Sequence, residues 1–501
     1  MESGMESGMG KELASDAADG PAGGPVSRPA GGSGGGSGGG SGGGSAKRGT
    51  LVGAVVGCAV VGCAALGGVL MVAPPEPDGP PPAPGPVARA ETAVGAGAPA
   101  SLPDLVALIG DREAHLRARP GDVRSWAVLG AAYAERGERT GEARFYPKAE
   151  KALRTSLRAK PKKNVEALDG LAALADARHE FRAARKWGEA SVAASPKRWT
   201  AYPALIDAYR GLGEFKAADK ALAKLVRLSK GSAAPRARVL TRAALVYRDQ
   251  GLREDAAAAL SDAVALASAP AEQADALAGA GELAWERGEP AESLRAFEAA
   301  VRADPDGHSA LAGQGRALAA LGRTPEAVRA YRAASEKRAL PQYAWELGEL
   351  YESLGQGDEA RAQYDVVRER VREGAAGGVN TDLVAGLFEA DHGDPEAAVR
   401  LLRDEWERHP SAAVADALGW ALHRAGQHED ALVFATKATD KQHVGAVRSA
   451  PYAYHRGMIE RQLKREGPAR RHLEEALRIS PYFSPLGVPA AKEALGALGQ
   501  V

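Results

Sequence analysis

Seven glycines recur along the chain at nearly constant spacing, with intervals of 38, 37, 34, 33, 38 and 33 residues. They are Gly213, Gly251, Gly288, Gly322, Gly355, Gly393 and Gly426. Each one separates two stretches whose apolar residues recur at helical spacing. Because glycine tolerates the left-handed backbone conformation that ends helices, the pattern predicts a repeated helix-turn-helix hairpin. A period near 34 residues is typical of an α-solenoid, in which each hairpin packs on the next one.

The stretch ELAWERGEPAESLRAFEAAVRADP, residues 282–305, shows one such hairpin. Its first helix ends at Gly288, and its second begins behind Pro290, a residue that the first turn of a helix accepts. Pro305 blocks continuation of the second helix. The apolar residues of that helix share one stripe, and they are Ala291, Leu294, Phe297, Ala300 and Val301. A single hairpin of this size cannot bury its own stripe, so the pattern predicts packing against a neighbour.

Two hairpins carry a fuller pattern of aromatic, Leu-Gly, Tyr, Gly and Ala positions at fixed offsets. One contains Trp126, Leu129, Gly130, Tyr133 and Gly137, and another contains Leu347, Gly348, Tyr351, Gly355, Ala360 and Tyr364. On these residues the chain resembles the tetratricopeptide repeat family, and within it a membrane-anchored bacterial protein. The resemblance implies an all-α fold, a right-handed α-solenoid of about nine to ten helix-turn-helix repeats.

Three hairpins depart from this pattern. The first has extra residues in the segment RTGEARFYPK between its two helices. The second lacks its turn glycine near Arg178, and the last has Lys464 at the glycine position. These departures affect the boundaries of individual repeats and leave the predicted fold unchanged.

Composition divides the chain into five segments. Residues 1–50 form a Gly/Ser-rich tail that we predict to be disordered, since it has nothing to bury. Residues 51–72 form an uncharged run of 22 residues, which predicts a transmembrane helix. Residues 73–100 are rich in Pro, Gly and Ala and predict an extended linker. The solenoid is expected over residues 101–482, and residues 483–501 are expected to form a C-terminal capping helix.

The charges that flank residues 51–72 predict an orientation. Lys47 and Arg48 precede the run, whereas the first basic residue after it is Arg89. The positive-inside bias therefore predicts a single-pass protein of the cell membrane with a cytoplasmic N-terminus and an extracytoplasmic solenoid. The small residues of the segment GAVVG could pair two such helices in a weak homodimer.

An alternative anchor rests on the two cysteines. Cys58 and Cys63 each end a VVGC segment that resembles the lipobox of bacterial lipoproteins. That reading predicts a protein that is anchored by a lipid instead of a transmembrane helix and whose solenoid still binds a protein partner. The apolar run continues beyond Cys63, where a mature lipoprotein would become polar, and this favours the transmembrane reading.

The sequence contains no recognisable catalytic, cofactor or metal-binding pattern. The 64 basic and 64 acidic residues balance, which argues against a nucleic-acid partner. His423 and His428 are the closest histidines, but their spacing does not place both on one helix face, so we predict no metal site. No cofactor is expected, and we predict that the protein is not an enzyme. A solenoid that serves as a platform for catalysis is the weaker alternative.

The resemblance implies that the first helix of each hairpin lines a concave surface where a protein or peptide partner binds. The candidate partner-binding residues on that surface are Trp285, Trp345, Trp420, Arg210, Arg242, Arg248, Arg316 and Glu349. Aromatic residues and arginine are enriched at binding hot spots. The alternative is that the tryptophans wedge between neighbouring first helices and the arginines form a solvated face. We therefore predict a membrane-tethered scaffold for protein–protein interaction.

Overall fold

The computed structural model describes residues 83–97, 100–230, 236–439 and 448–499. These residues form twenty-three α-helices and contain no β-strand. The first two helices are α1 (Pro86–Gly95) and α2 (Leu102–Ala118), and the last is α23 (Gly487–Ala497). The twenty helices between them form ten antiparallel hairpins, which we call repeats 1 to 10. The all-α hairpin fold predicted from the sequence is thereby confirmed.

The first five repeats use helices α3 to α12. Their bounds are α3 (Val123–Thr140) with α4 (Tyr146–Ala159), α5 (Val165–Ala177) with α6 (Phe181–Ala194), α7 (Tyr202–Gly211) with α8 (Phe215–Ser229), α9 (Arg236–Asp249) with α10 (Arg253–Leu266), and α11 (Pro270–Glu286) with α12 (Pro290–Ala303).

The second five repeats use helices α13 to α22. Their bounds are α13 (His308–Ala320) with α14 (Thr324–Lys337), α15 (Pro341–Ser353) with α16 (Gly357–Ala376), α17 (Asp382–His392) with α18 (Pro395–Arg408), α19 (Ala412–Arg424) with α20 (His428–Thr439), and α21 (Ala450–Gln462) with α22 (Glu466–Ile479).

Small residues in the first helices allow the two helices of a repeat to pack closely. In repeat 7, Tyr364 of α16 lies so near Gly348 of α15 that a Cβ atom at residue 348 would come within 2.4 Å of the tyrosine ring. Both tyrosines of this repeat, Tyr351 and Tyr364, are buried. The Leu-Gly pair of the repeat pattern is therefore a packing requirement: the leucine fills the core and the glycine admits the aromatic ring.

Turn glycines end the first helix in most repeats, as the spacing predicts. Six of the seven glycines have positive φ angles of 70–79°, and Gly393 is the exception with a φ of −149°. The prediction of a left-handed turn is therefore wrong at Gly393, where the helix ends in another conformation. In repeats 2 and 10 the left-handed position is occupied by His179 and Lys464, both with a φ of 58°.

Part of the predicted linker is helical. Residues 73–100 were expected to be extended, yet α1 forms within them and packs on α2. Ala90 is completely buried at this contact. Arg89 also forms an ion pair of 2.7 Å with Asp104 of α2. The helix gains this packing surface only in the folded chain, which composition does not reveal.

The prediction of a single-pass membrane protein is corrected by the structure. Across the described ranges, no helix combines the length and the apolar character that a bilayer crossing requires. The longest helix, α16, has 20 residues and alternates charged and apolar side chains, as suits a helix with one buried face. The segment predicted to cross the membrane, residues 51–72, lies outside the described residues, as do the predicted disordered tail and Cys58 and Cys63.

The left-handed turns predict opposite effects of two substitutions. Lys464 is non-glycine at a φ of 58°, so Lys464→Gly should raise the free energy of unfolding by about 1 kcal/mol. Gly355→Ala, at a φ of 72° with open space around its Cα, should lower it by about the same amount. Urea denaturation followed by circular dichroism measures both. Equal signs for the two variants would contradict the assignment of these turns.

Candidate functional site: the central cavity

The repeats surround a partly open cavity of about 1660 Å³, which we call the central cavity. The first helices of repeats 1 to 6 provide one part of its wall, through residues such as Asp176, Arg242 and Trp285. The loops that join repeats 6 to 10, together with the starts of the later first helices, provide the rest. The cavity therefore lies on the side of the solenoid where a concave binding surface was predicted.

Ion pairs connect the first helices of successive repeats along the cavity wall. Between α7 and α9, Asp207 pairs with Arg242, and Arg210 donates from Nε to Asp249 Oδ2 at 2.6 Å. Between α9 and α11, Arg248 Nε lies 3.6 Å from a Glu286 carboxylate oxygen. We call this chain of pairs, with its continuation at Arg316, the arginine ladder.

Arg316 of α13 is the most fully paired member of the ladder. It donates to Glu282 of α11 at 3.0 Å and, through two nitrogens, to Glu346 of α15 at 3.1 and 3.2 Å. Its guanidinium also lies 5.5 Å from the centre of the Trp285 ring, within the range of a cation–π contact. Burial alone would lower the pKa of Arg316, but Glu282 and Glu346 together raise it well above its ordinary value. The ladder thus ties three consecutive repeats together at this residue.

Asp176 of α5 differs from the ladder carboxylates. It lines the central cavity, and its carboxylate makes no hydrogen bond or ion pair with the described residues. Burial raises the pKa of Asp176 to about 6, and Arg242 offsets this only in part. The side chain therefore titrates near neutral pH and offers an acceptor to whatever enters the cavity.

Five of the eight residues predicted to contact a partner lie on the cavity wall. They are Arg210, Arg242, Arg248, Trp285 and Arg316. The four arginines are engaged in the ladder, so the reading of a freely solvated arginine face does not describe them. Trp285 is half-buried and its ring is partly accessible from the cavity.

The other three predicted residues lie between neighbouring repeats and do not line the cavity: Trp420 is buried, and Trp345 and Glu349 are partly buried. Trp420 is only 5% exposed, stacks on His455 with ring centres 4.3 Å apart, and donates from Nε1 to Asp391 at 2.9 Å. Trp345 meets Phe388 edge to face and donates from Nε1 to Glu349 at 2.9 Å. Burial raises the pKa of Glu349, whose carboxylate also faces His392. At these positions the alternative of tryptophans wedged between neighbouring helices describes the structure.

Sequence reasoning missed the carboxylates of the ladder. Asp207, Asp249, Glu282 and Glu286 all line the cavity and pair with arginines one repeat away. A signal for them exists in the sequence, because an acidic and a basic residue separated by about one repeat length fall side by side on adjacent first helices. The unpaired Asp176 has no such signal, since nothing in the sequence distinguishes it from the paired carboxylates.

Comparison with solved structures finds distant similarity to several proteins. The chain resembles the human IFIT1 dimer with m7Gppp-AAAA at 14% identity, with 70% of this chain and 79% of that chain covered and a TM-score of 0.42. It resembles the APC/C hetero-tetramer Cut9-Hcn1 at 16% identity, with 74% and 76% covered and a TM-score of 0.39. It resembles pilF of Pseudomonas aeruginosa at 19% identity, with 41% and 90% covered and a TM-score of 0.33. No curated protein matches the sequence significantly.

Helical hairpins stacked in sequence around an interior cavity define a repeat protein of the α-solenoid class. Residues 241–308 and 312–375 match the tetratricopeptide repeat family. This match confirms the predicted resemblance to that family over these two ranges, and it gives no support to the membrane-anchored part of the prediction.

The burial of Trp420 predicts a loss of stability on its removal. Trp420→Ala should lower the free energy of unfolding by about 3–5 kcal/mol, because it opens a cavity in the core and leaves Asp391 without its donor. Trp285→Ala, at the half-buried cavity wall, should cost about 1 kcal/mol. Denaturant titration of both variants measures the difference. Similar losses for the two would contradict their assignment to different environments.

The raised pKa of Asp176 predicts a pH-dependent stability. The aspartate pKa is about 3.8 in the unfolded chain and about 6 in the folded protein, so the folded protein binds the proton more tightly. The free energy of unfolding therefore falls as pH rises through about 6 and the carboxylate becomes charged. Asp176→Asn should therefore raise the free energy of unfolding by about 1–2 kcal/mol at pH 7.5, after allowance for partial exposure, and by almost nothing at pH 4.

The matched control for this measurement is Asp262→Asn, which changes an exposed carboxylate on α10. It should leave the free energy of unfolding unchanged at both pH values. Urea denaturation at pH 4 and pH 7.5 gives both numbers. A stabilisation by Asp176→Asn that is the same at the two pH values would show that burial of its charge is not the cause.

Proposed function

We propose that this protein is a non-enzymatic scaffold that holds an extended segment of a protein partner in the central cavity. The observation that carries the proposal is the cavity itself, whose volume of about 1660 Å³ exceeds the roughly 300–1,000 Å³ typical of small-molecule pockets. An extended polypeptide advances by about 3.3–3.6 Å per residue, so a short segment of it can meet the first helices of several successive repeats that line the cavity. The repeat class supports the same role, because such solenoids bind protein partners along their inner surfaces.

The chemistry of the wall supports recognition by a small number of groups. The arginine ladder is satisfied internally, since each of its arginines already has a carboxylate partner in a neighbouring helix. Binding through these arginines would require that existing pairs break, which is costly for partly buried charges. The groups that remain available include the accessible part of the Trp285 ring and the unpaired carboxylate of Asp176, which both lie on the wall formed by the first helices.

These two groups define the partner chemistry that we propose. An apolar side chain of the bound segment packs on Trp285, and a hydrogen-bond donor or cationic side chain meets Asp176. The ladder arginines keep the first helices in register and so hold the two contact groups at a fixed separation. Trp345, Trp420 and Glu349 act on binding only through the stability of repeats 7 to 9.

A photocrosslinking experiment tests the proposal. We place p-benzoylphenylalanine at Trp285 in intact cells, which keeps an aromatic side chain at the cavity wall. The matched control places it at Arg295, which lies on the second helix of the same repeat and has a side chain that is 70% exposed. We expect adducts at residue 285 that map to one continuous segment of one partner, and no such adduct at residue 295.

Two outcomes would contradict the proposal. Equal capture of the same segment at residues 285 and 295 would show that the partner does not distinguish the cavity from the outer face. Capture at residue 295 alone would place the binding surface on the outer face of the solenoid.

A second arm of the experiment combines the probe at residue 285 with Asp176→Asn, which should reduce the adduct yield several-fold while raising stability.

A further inference from the structure

The turns of the first five repeats contact the loops that follow the second five repeats. We call this line of contacts the seam. It consists of five regions of contact, at Gly141 with Arg338, His179 with Asn380, Gly213 with Pro410, Arg253 with Arg448, and Gly288 with Ser480. The partners are separated by 192 to 201 residues, so the chain meets itself after an almost constant number of repeats.

Hydrogen bonds make up the best-defined region of the seam. The backbone N–H of Asn380 donates to the carbonyl oxygen of Arg178 at 2.8 Å. The His179 ring nitrogen Nδ1 lies 3.3 Å from the carbonyl oxygen of Asn380. Next to them, Arg182 donates to the carbonyl oxygen of Glu407 at 2.8 Å. The ring of Phe181 meets His409 edge to face, and Val379 packs against the buried cluster of the first repeats.

The remaining regions of the seam are smaller. Arg253 donates to the carbonyl oxygen of Arg448 at 2.7 Å. Gly288 lies directly against the end of α22, where a Cβ atom at residue 288 would come within 2.8 Å of Ser480 Cα. By contrast, a Cβ atom at Gly355, which has nearly the same φ angle, would meet no atom within 4 Å. The turn glycines therefore differ in whether they lie in the seam.

The seam is held more weakly than the stacking of the repeats. Neighbouring repeats bury continuous apolar clusters, such as the one that joins Tyr331, Tyr351 and Phe388. The seam instead combines polar contacts to backbone carbonyls, each of which contributes little net stability, with small apolar contacts such as the packing of Val379 on the cluster of the first repeats. Contacts of this kind open before packed helices separate.

Opening of the seam would expose the central cavity along its length. Residues on both sides of the seam line the cavity, including His179, Phe181 and Arg253 on one side and Arg338, Asn380 and Arg448 on the other. We propose that the seam is a lateral gate, through which an internal segment of a partner enters the cavity sideways without a free chain end. The identity of the occupant rests on the function proposed above, whereas the gate itself can be tested without any partner.

The test measures access to the cavity with a single thiol. In the full chain, Cys58 and Cys63 are replaced by serine and Leu245→Cys places a thiol on the cavity wall, which we call the cavity thiol. His179→Cys and Asn380→Cys then add a disulfide across the seam at two residues that already contact each other. We record the rate at which the cavity thiol reacts with a maleimide carrying a 5-kDa polymer, read by site-resolved mass spectrometry, in oxidised and reduced protein.

We expect oxidation of the seam disulfide to slow modification of the cavity thiol at least tenfold, and reduction to restore it. The same chain without the seam cysteines should respond to neither treatment. Circular dichroism and denaturation of each variant establish that it is folded before labelling. An unchanged rate in the oxidised protein would show that the reagent enters elsewhere and would overturn the gate.

A matched pair of glycine variants provides the opposite perturbation. Gly288→Ala and Gly355→Ala carry the same backbone cost at nearly equal φ angles, but only the first one presses a methyl group against the seam. We expect Gly288→Ala to speed modification of the cavity thiol several-fold and Gly355→Ala to leave the rate within about twofold of the parent. Equal acceleration by both would mean that general destabilisation, and not the seam, controls access. The two proposals can fail separately. If the photocrosslinking at residue 285 captures no partner segment but the thiol-labelling results are as expected, the proposed occupant is refuted and the gate stands.

Discussion

Every other feature of this protein depends on the burial of one helical stripe against the next repeat. A single hairpin leaves that stripe exposed, so the fold exists only as a stack. Alanine dominates the interfaces, and glycines such as Gly348 admit a neighbouring aromatic ring where a side chain would collide. Close, even stacking places the first helices side by side, and this spacing is what allows an arginine on one helix to reach a carboxylate on the next.

The arginine ladder follows from that stacking and gives the cavity wall its character. Charges that face an enclosed space are costly unless they are paired. Arg210 and Arg316 resolve this cost by pairing with the carboxylates of adjacent repeats, as with Asp249 and Glu346. Asp176 remains unpaired within the described structure and keeps a raised pKa. A half-buried acid without a partner lowers stability, and under the proposed function this carboxylate is one of the groups that meet the bound segment.

The sequence predicts the fold well because the evidence for it is local. Turn glycines and apolar periodicity identify the hairpins, and even the departure at Lys464 keeps its left-handed conformation. Helix α1 escaped prediction because it depends on tertiary contacts with α2, whereas Gly393 departs from the pattern at a turn where the Glu389 carboxylate accepts from the N–H of Asp394. The candidate site was harder to predict from the sequence. The inner positions of Trp285 and Arg316 follow from the repeat pattern, whereas the burial of Trp420 depends on rings contributed by the next repeat. Enclosure of the cavity depends on small rotations that accumulate over many repeats, and no local pattern records them.

The seam also changes how the chain resists unfolding. An open solenoid has contacts only between near neighbours in sequence, so its stability behaves as a one-dimensional sum and its terminal repeats fray independently. Here the turn at Gly288 touches the end of the last hairpin at Ser480, and similar contacts tie each early repeat to a late one. Fraying of the C-terminal hairpin therefore removes a neighbour from the middle of the chain. These long-range contacts raise contact order, and they make the stack a cooperative unit that forms more slowly than its local hairpins.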